Sequence, residues 1–355
     1  MKRTLLLLAV ALVVPAVAHA TTATATAQAE LQADAAYQRG DYQQALADFR
    51  QLAAQGYAGA EYSLGFIYAQ GLGVPQDYAE ALKWSRLAAA QGNAGAEYNL
   101  GVMYAKGLGV PQDYAEALKW YRLAAAQGNA GAEYNLGVMY AKGLGVPQNY
   151  AEALKWSRLA AAQGNAGAEG NLGVMYAKGL GVPQNYAEAL KWSRLAAAQG
   201  DAAAENNLAG MYAKGQGVPQ NYAEALKWSR LAAAQGDAAA ENNLGLVYED
   251  GQGATQNYAE ALKWYRLAAA QGYADAENNL AGMYAKGLGV PQDYVAAYKW
   301  GLIAKATMLA TSRDYAKVSN NVKQLPATMT SAQIALAKQE ASAWYAAHEH
   351  AGYLP

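Results

Sequence analysis

Apolar side chains fall first at Ala96, Leu100 and Tyr104, then at Ala117, Trp120 and Ala124, with a polar, glycine-rich break between the two runs. Spacings of i, i+4, i+8 and of i, i+3, i+7 each gather the apolar residues on one face of a helix. The break carries its own chemistry. Gly107 follows Tyr104-Ala105-Lys106, where a left-handed C-terminal cap is wanted, and Val110-Pro111 pushes the backbone out of helical geometry. Asp113 and Glu116 form a D-x-x-E signature, which predicts a capping box opening the second helix. Gly128 ends that helix, and Asn129 is placed to cap the next one. The predicted element is helix, loop, helix.

The element then repeats. Tryptophan stands at 84, 120, 156, 192, 228, 264 and 300, always 36 residues apart, which predicts a solenoid of seven units: 60–95, 96–131, 132–167, 168–203, 204–239, 240–275 and 276–311. The capping signature recurs with Asp or Asn at 77, 149, 185, 221 and 257, each followed three residues later by glutamate. Gly101 lies inside a first helix at a cost of about 0.5–1 kcal/mol relative to alanine. That cost is offset if glycine lets the paired helix approach closely. Alanine holds the position at 209 and 281, so smallness is the requirement. Burying Trp120 contributes roughly 4–6 kcal/mol gross, and its helical spacing predicts that the indoles lie in the core.

The text AEYNLGVMYAKGLGVPQDYAEALKW, residues 96–120, resembles the Sel1-like repeat (SLR) family, a 36-residue relative of the tetratricopeptide repeat, and the resemblance covers 60–311. It implies an all-α fold, an α/α superhelical solenoid whose first helices line a concave surface. It also implies a role in assembling or holding other proteins, often in bacterial envelopes or in host interaction. Residues 31–59 read as a shorter, tetratricopeptide-like hairpin, because Tyr37-Gln38-Arg39-Gly40 passes directly to Asp41-Tyr42 without the five-residue loop. Beyond 311 the period is lost. Ser312 to Gln324 and Thr330 to Ala347 read as two further helices, the second opened by the box Thr330-Ser331-Ala332-Gln333, so 312–355 is expected to be the atypical cap that a repeat array needs.

Composition narrows the function. Of 355 residues 53% are hydrophobic, much of that alanine with only two phenylalanines, so small side chains must pack closely. The net charge of -1 argues against nucleic acid as a partner. Lys2 and Arg3, the apolar run from Leu5 to Val17 and Ala18-His19-Ala20 read as a cleavable signal peptide over 1–20. The run is shorter than the roughly 20 residues a membrane span needs. The mature chain is therefore expected to be soluble, with no membrane span, and periplasmic or secreted. Thr21 to Gln28 is low in complexity, and 21–30 is expected to be a disordered spacer. No cysteine is present, so packing alone must hold an exported fold.

Catalytic parts are missing. His348 and His350 stand at i, i+2 without a third ligand, which predicts no metal site. Without cysteine or other histidines in the mature chain, nucleophile–histidine catalysis has no components. Some cysteine-rich relatives of the SLR family are linked to β-lactams. This chain lacks those cysteines, S-x-x-K and K-T-G, so that activity is not carried over. Gly-Leu-Gly-Val-Pro follows a helix rather than a strand and reads as a turn, not a phosphate loop. No cofactor and no enzymatic activity are expected.

By analogy with tetratricopeptide repeats, the groove-facing positions are those of Tyr98, Val102, Ala105 and Lys106. The first column runs Tyr62, Tyr98, Tyr134, Gly170, Asn206, Asn242, Asn278, and the last runs Gln70, Lys106, Lys142, Lys178, Lys214, Asp250, Lys286. Tyrosine offers contact area at little entropic cost, asparagine pairs with peptide backbone, and lysine attracts carboxylates. A peptide or protein partner is thus expected on a wall that changes from aromatic to amide along a lysine edge. The alternative is that these columns are decoration copied by duplication. A second ladder, Asn99 to Asn279, reads as structural, bonding loop backbone between units. Unit 240–275 departs from its neighbours at Glu249-Asp250 and Ala254-Thr255. Two other classes stay open: an envelope protein that binds or hydrolyses cell-wall glycan, and a purely architectural brace.

Overall fold

The structure is a computed structural model that describes residues 26–308, 312 and 315–348. The expected signal peptide, residues 21–25 and His350 lie outside the described residues. All secondary structure among the described residues is helical, and consecutive helices pack in pairs as a repeat solenoid. The chain divides into two compact units, 1–168 and 169–355.

In the first unit, α1 covers 26–38, so helix begins inside the stretch expected to be spacer. Seven helices follow: α2 (Tyr42–Ala53), α3 (Ala58–Gln70), α4 (Tyr78–Ala90), α5 (Ala94–Lys106), α6 (Tyr114–Ala126), α7 (Ala130–Lys142) and α8 (Tyr150–Ala162). The ends are set as the residues dictate. Asn129 Oδ1 accepts from the Ala132 amide at 2.9 Å, and Gly107 takes a left-handed φ of 70° at the C-cap of α5. The D-x-x-E box forms only by half. Asp113 Oδ1 accepts from the amides of Ala115 and Glu116 at 2.9 and 3.0 Å. Its own amide, however, donates to the Tyr104 carbonyl at 2.9 Å, so Glu116 has nothing to reach back for and pairs with Lys119 instead. Gln112 Nε2 closes the loop by donating to the Ala105 carbonyl at 2.8 Å.

Gly109, at φ 70°, is held tighter than its turn alone requires, since a Cβ there would stand 2.6 Å from the Tyr78 carbonyl oxygen. Gly92 has a similar φ of 79° with nothing within 4 Å. Gly109→Ala is therefore expected to cost about 1–3 kcal/mol in chemical denaturation, and Gly92→Ala clearly less. Equal costs would show that only the backbone dihedral matters.

The cores are small and rich in alanine. Ala117, Leu118, Tyr121 and Ala124 of α6 meet Ala132, Leu136 and Met139 of α7. The tryptophans do not lie in these cores as their spacing predicts. Trp84, Trp120 and Trp156 are half-buried and lie against the edge of the core formed by the preceding helices. A fully enclosed indole would need more room than helices spaced by alanine and glycine leave. Lys83 and Lys155 stand 5.2 and 5.4 Å from the Trp84 and Trp156 ring centroids, covering part of what remains.

The second unit holds α9 (Ala166–Lys178, whose first turn contains the division), α10 (Tyr186–Ala198), α11 (Ala202–Lys214), α12 (Tyr222–Ala234), α13 (Ala238–Asp250), α14 (Tyr258–Ala270), α15 (Ala274–Lys286) and α16 (Tyr294–Thr307). They are followed by α17 (Tyr315–Gln324), a 3-10 turn over Leu325–Thr328 and α18 (Ser331–His348). Here the expected capping box is complete: the Thr330 amide donates to Gln333 Oε1 at 2.8 Å, and the Gln333 amide to Thr330 Oγ1 at 3.3 Å. His348 stacks on Trp344 with centroids 4.0 Å apart.

Candidate functional site

In the second unit, residues of α9, α11 and α13 come together with Tyr186 and Ser193 of α10. Between them opens a groove of about 540 Å³ lined by Lys178, Asn206, Asn207, Lys214, Gln216 and Asn243 among others. Its floor is made by small residues. Gly210 occupies the column that holds Val102, Val138 and Val174 elsewhere, and a Cβ on Gly210 would meet nothing within 4 Å. A second hollow of about 250 Å³ continues past Gly210, Lys214 and Asn243 to Leu246, Asp250 and Gln252.

The polar lining is partly spoken for. Asn243 Nδ2 donates to Asn206 Oδ1 at 2.8 Å. Gln184 and Gln216 both donate to Tyr186 Oη, at 3.0 and 3.2 Å, and the phenol's own proton has no acceptor among the described residues. Asn206 keeps its amide donors and Asn243 its carbonyl oxygen without a partner among the described residues. Lys178 and Lys214 are exposed and make no ion pair among the described residues. Each also ends its helix, where a cation is favoured by the helix dipole. Two unpaired ammonium groups over amide donors and acceptors suit a carboxylate-bearing segment with open backbone groups.

Of the residues predicted from the columns, Asn206, Lys178 and Lys214 come together here. Asn242 does not; it is 5% exposed and accepts from Asn279 Nδ2 at 3.0 Å. The second asparagine ladder thus bonds the first ladder's side chains at these two places, not loop backbone. Asn278 and Lys286 line a separate hollow with Val318 and Leu325 of the C-terminal helices.

In the first unit the tyrosines have a packing partner that the sequence alone conceals. The rings of Tyr62, Tyr98 and Tyr134 lie over Gly95, Gly131 and Gly167, close enough that a Cβ there would stand 2.8–3.0 Å from ring carbons. Where the tyrosine column changes to Gly170, Asn206 and Asn242, the glycine column changes to Ala203, Ala239 and Asp275. The two columns change together along the chain, and in the first unit they touch. Tyr62 also lines a hollow with Tyr37, Phe49 and Phe66. Lys106 and Lys142 are exposed at the ends of α5 and α7.

Sequence reasoning missed Gln184, Tyr186, Gly210, Gln216 and Asn243. The signal was present: Gln216 and Gln252 replace the leucine of Gly-Leu-Gly, and Gly210 replaces valine. The departure at Glu249 has a local reason, since Tyr265 Oη donates to Glu249 Oε2 at 2.6 Å, and burial pushes the Tyr265 phenol up.

Among the described residues no helix is long and apolar enough to cross a membrane, and no cluster of His, Cys, Asp or Glu could hold a metal ion. The Sel1 repeat model matches 58–93, 94–129, 130–165, 166–201, 202–237, 238–273 and 274–305. No curated protein matches the chain. Among solved structures, a Sel1 repeat protein from Oxalobacter formigenes is 36% identical over 68% of this chain and 96% of its own, with a TM-score of 0.64. A protective antigen of uropathogenic Escherichia coli displaying an SLR fold is 30% identical over 85% and 87%, with a TM-score of 0.48. With seven matched repeats spanning most of its length, the chain belongs to the Sel1 repeat family, whose repeats are protein-interaction modules.

Proposed function

We propose that the chain is an exported interaction scaffold that holds an extended, acidic segment of a partner protein in the groove of its second unit. The observation that carries this reading is the pair of unpaired lysines, Lys178 and Lys214, set over amide side chains and the open floor at Gly210. An extended segment offers carbonyls and amides at regular intervals, and asparagine and glutamine match both. Export rests on the signal features of residues 1–20, which also motivate a partner in the periplasm or beyond.

Selection of a displayed random-peptide library on the purified chain tests the reading. Recovered peptides are expected to be rich in Asp and Glu, and to lose at least tenfold in affinity on a Lys178→Glu/Lys214→Glu variant. A Lys106→Glu/Lys142→Glu variant, altered in the first unit, should bind them nearly as well as the parent. Peptides without acidic bias, or equal losses in the two variants, would count against the groove.

A further inference from the structure

The last repeat differs from the others in being covered. On α16, Lys299, Trp300 and Ile303 lie beneath α18. Glu340 Oε2 stands 3.4 Å from Lys299 Nζ. Trp344 meets Trp300 edge-on with centroids 6.1 Å apart, and Tyr345 Oη donates to the Ile303 carbonyl at 2.7 Å. Ile303 is 0% exposed.

The same Lys-Trp-x-x-Leu sequence recurs on every other second helix of the repeats, with the tryptophan half-buried as Trp300 is but the leucine exposed. In the second unit it is Lys191-Trp192-Leu195, Lys227-Trp228-Leu231 and Lys263-Trp264-Leu267, with the leucines 43–44% exposed. In the first unit Leu87, Leu123 and Leu159 hold the position, 43–50% exposed. One exposed leucine needs no explanation, but six at one register position, matched by a buried isoleucine where the chain supplies its own cover, are a pattern. The uncovered lysines pair with the glutamate three residues before them, as Lys227 does with Glu224 at 3.7 Å. Exposed pairs of this kind contribute little and exchange easily. In the last repeat Ala296 stands where that glutamate would be, and Glu340 of α18 takes its place.

We infer that these second-helix faces are docking sites for an amphipathic helix of a partner protein with the chemistry of α18: a carboxylate for the lysine, one turn ahead of two adjacent aromatic residues for the tryptophan and leucine. The packing of α18 on α16 is the template, and the surface is separate from the groove proposed above. Helix-on-helix docking of this kind reads side chains at helical spacing, whereas the groove reads an extended backbone.

The probe is a synthetic peptide of residues 330–348, fluorescently labelled and titrated against the purified full chain. Saturable binding with more than one peptide per chain is expected. Affinity should fall at least tenfold on a variant carrying Leu→Glu at 87, 123, 159, 195, 231 and 267, whose exposed positions leave the cores intact. A peptide with Glu340→Lys and Trp344→Ala should lose binding to the unaltered chain, a comparison that does not depend on how the variant folds. Absence of saturable binding, equal binding by the altered peptide, or binding lost on Trp300→Ala but kept on the leucine variant would overturn the inference; the last would mean that the peptide only displaces α18 from its own seat.

Discussion

Gly101→Ala is expected to destabilise the chain by about 1–3 kcal/mol although alanine is the better helix former by about 1 kcal/mol. A Cβ on Gly101 would stand 2.5 Å from ring carbons of Tyr121 on the paired helix. Tyr121 is 3% exposed and has no room to withdraw. The chain carries its own controls. Gly137 faces Ser157, whose Oγ would lie 2.8 Å from the new Cβ and can rotate away, so Gly137→Ala should cost far less. At the matching pairs the sequence holds Ala209 with Ser229 and Ala281 with Gly301, and never alanine with tyrosine. Gly101→Ala combined with Tyr121→Ser recreates the Ala209 pair, and its cost should fall short of the sum of the single changes. Denaturant midpoints of the four proteins measure this coupling, and strict additivity would show that the two helices do not constrain each other here.

The second large effect concerns pH. In six repeats a glutamate near the start of the first helix accepts from the glutamine that caps the second, as Glu97 does from Gln127 at 2.8 Å. In the last repeat Thr307 stands where that glutamine would be, and its hydroxyl donates to the Ile303 carbonyl at 3.0 Å. Glu277 is left 0% exposed, with neither carboxylate oxygen hydrogen-bonded among the described residues. Burial, opposed in part by the neighbouring Thr307 hydroxyl, pushes its carboxyl up to about 8. The folded state thus holds a proton that the unfolded chain releases near the ordinary 4.5. Stability is fully present below that value, falls as pH rises, and reaches its floor above about 8. A shift of this size corresponds to about 5 kcal/mol between those limits. Burial also raises Glu97, Glu133, Glu169, Glu205 and Glu241, offset in part by their glutamine donors, and these add slope of the same sign. Glu277→Gln is neutral throughout and should remove the largest share. Denaturation at pH 5, 7 and 9 gives the comparison; parallel pH profiles for the two proteins would contradict this account of Glu277.

The repeat and its helix boundaries were legible because period, caps and breakers are local properties. Asn129, Gly107 and Asp113 act on amides within a few residues, and their spacing shows it. The role of Gly101 was legible too, since Ala209 and Ala281 reveal that only size matters. The capping box failed at Glu116 because the loop feeds the Asp113 amide to Tyr104, a bond that composition does not announce. The spacing of the tryptophans predicts too deep a position for a related reason: helical spacing gives a face but not how far the neighbouring helix stands away. The tyrosine column predicts either a groove wall or decoration copied by duplication. Its partner is the glycine 33 residues on, and only spatial proximity turns two columns that change together into a contact. The groove was half legible. Asn206, Lys178 and Lys214 stand in the predicted columns, whereas Gly210 and Gln216 depart from the repeat with no local signal of a role, and only the structure puts them in its lining.

On the proposed reading, the groove over Gly210 receives the partner segment. Gly210→Val puts this to the test, because valine occupies this column in the preceding repeats, at Val102, Val138 and Val174, and open space awaits its side chain. Titration of the tightest selected acidic peptide against both proteins should give at least a tenfold higher Kd for the variant at an unchanged Tm. An equal Kd with the groove filled would show that the segment binds elsewhere.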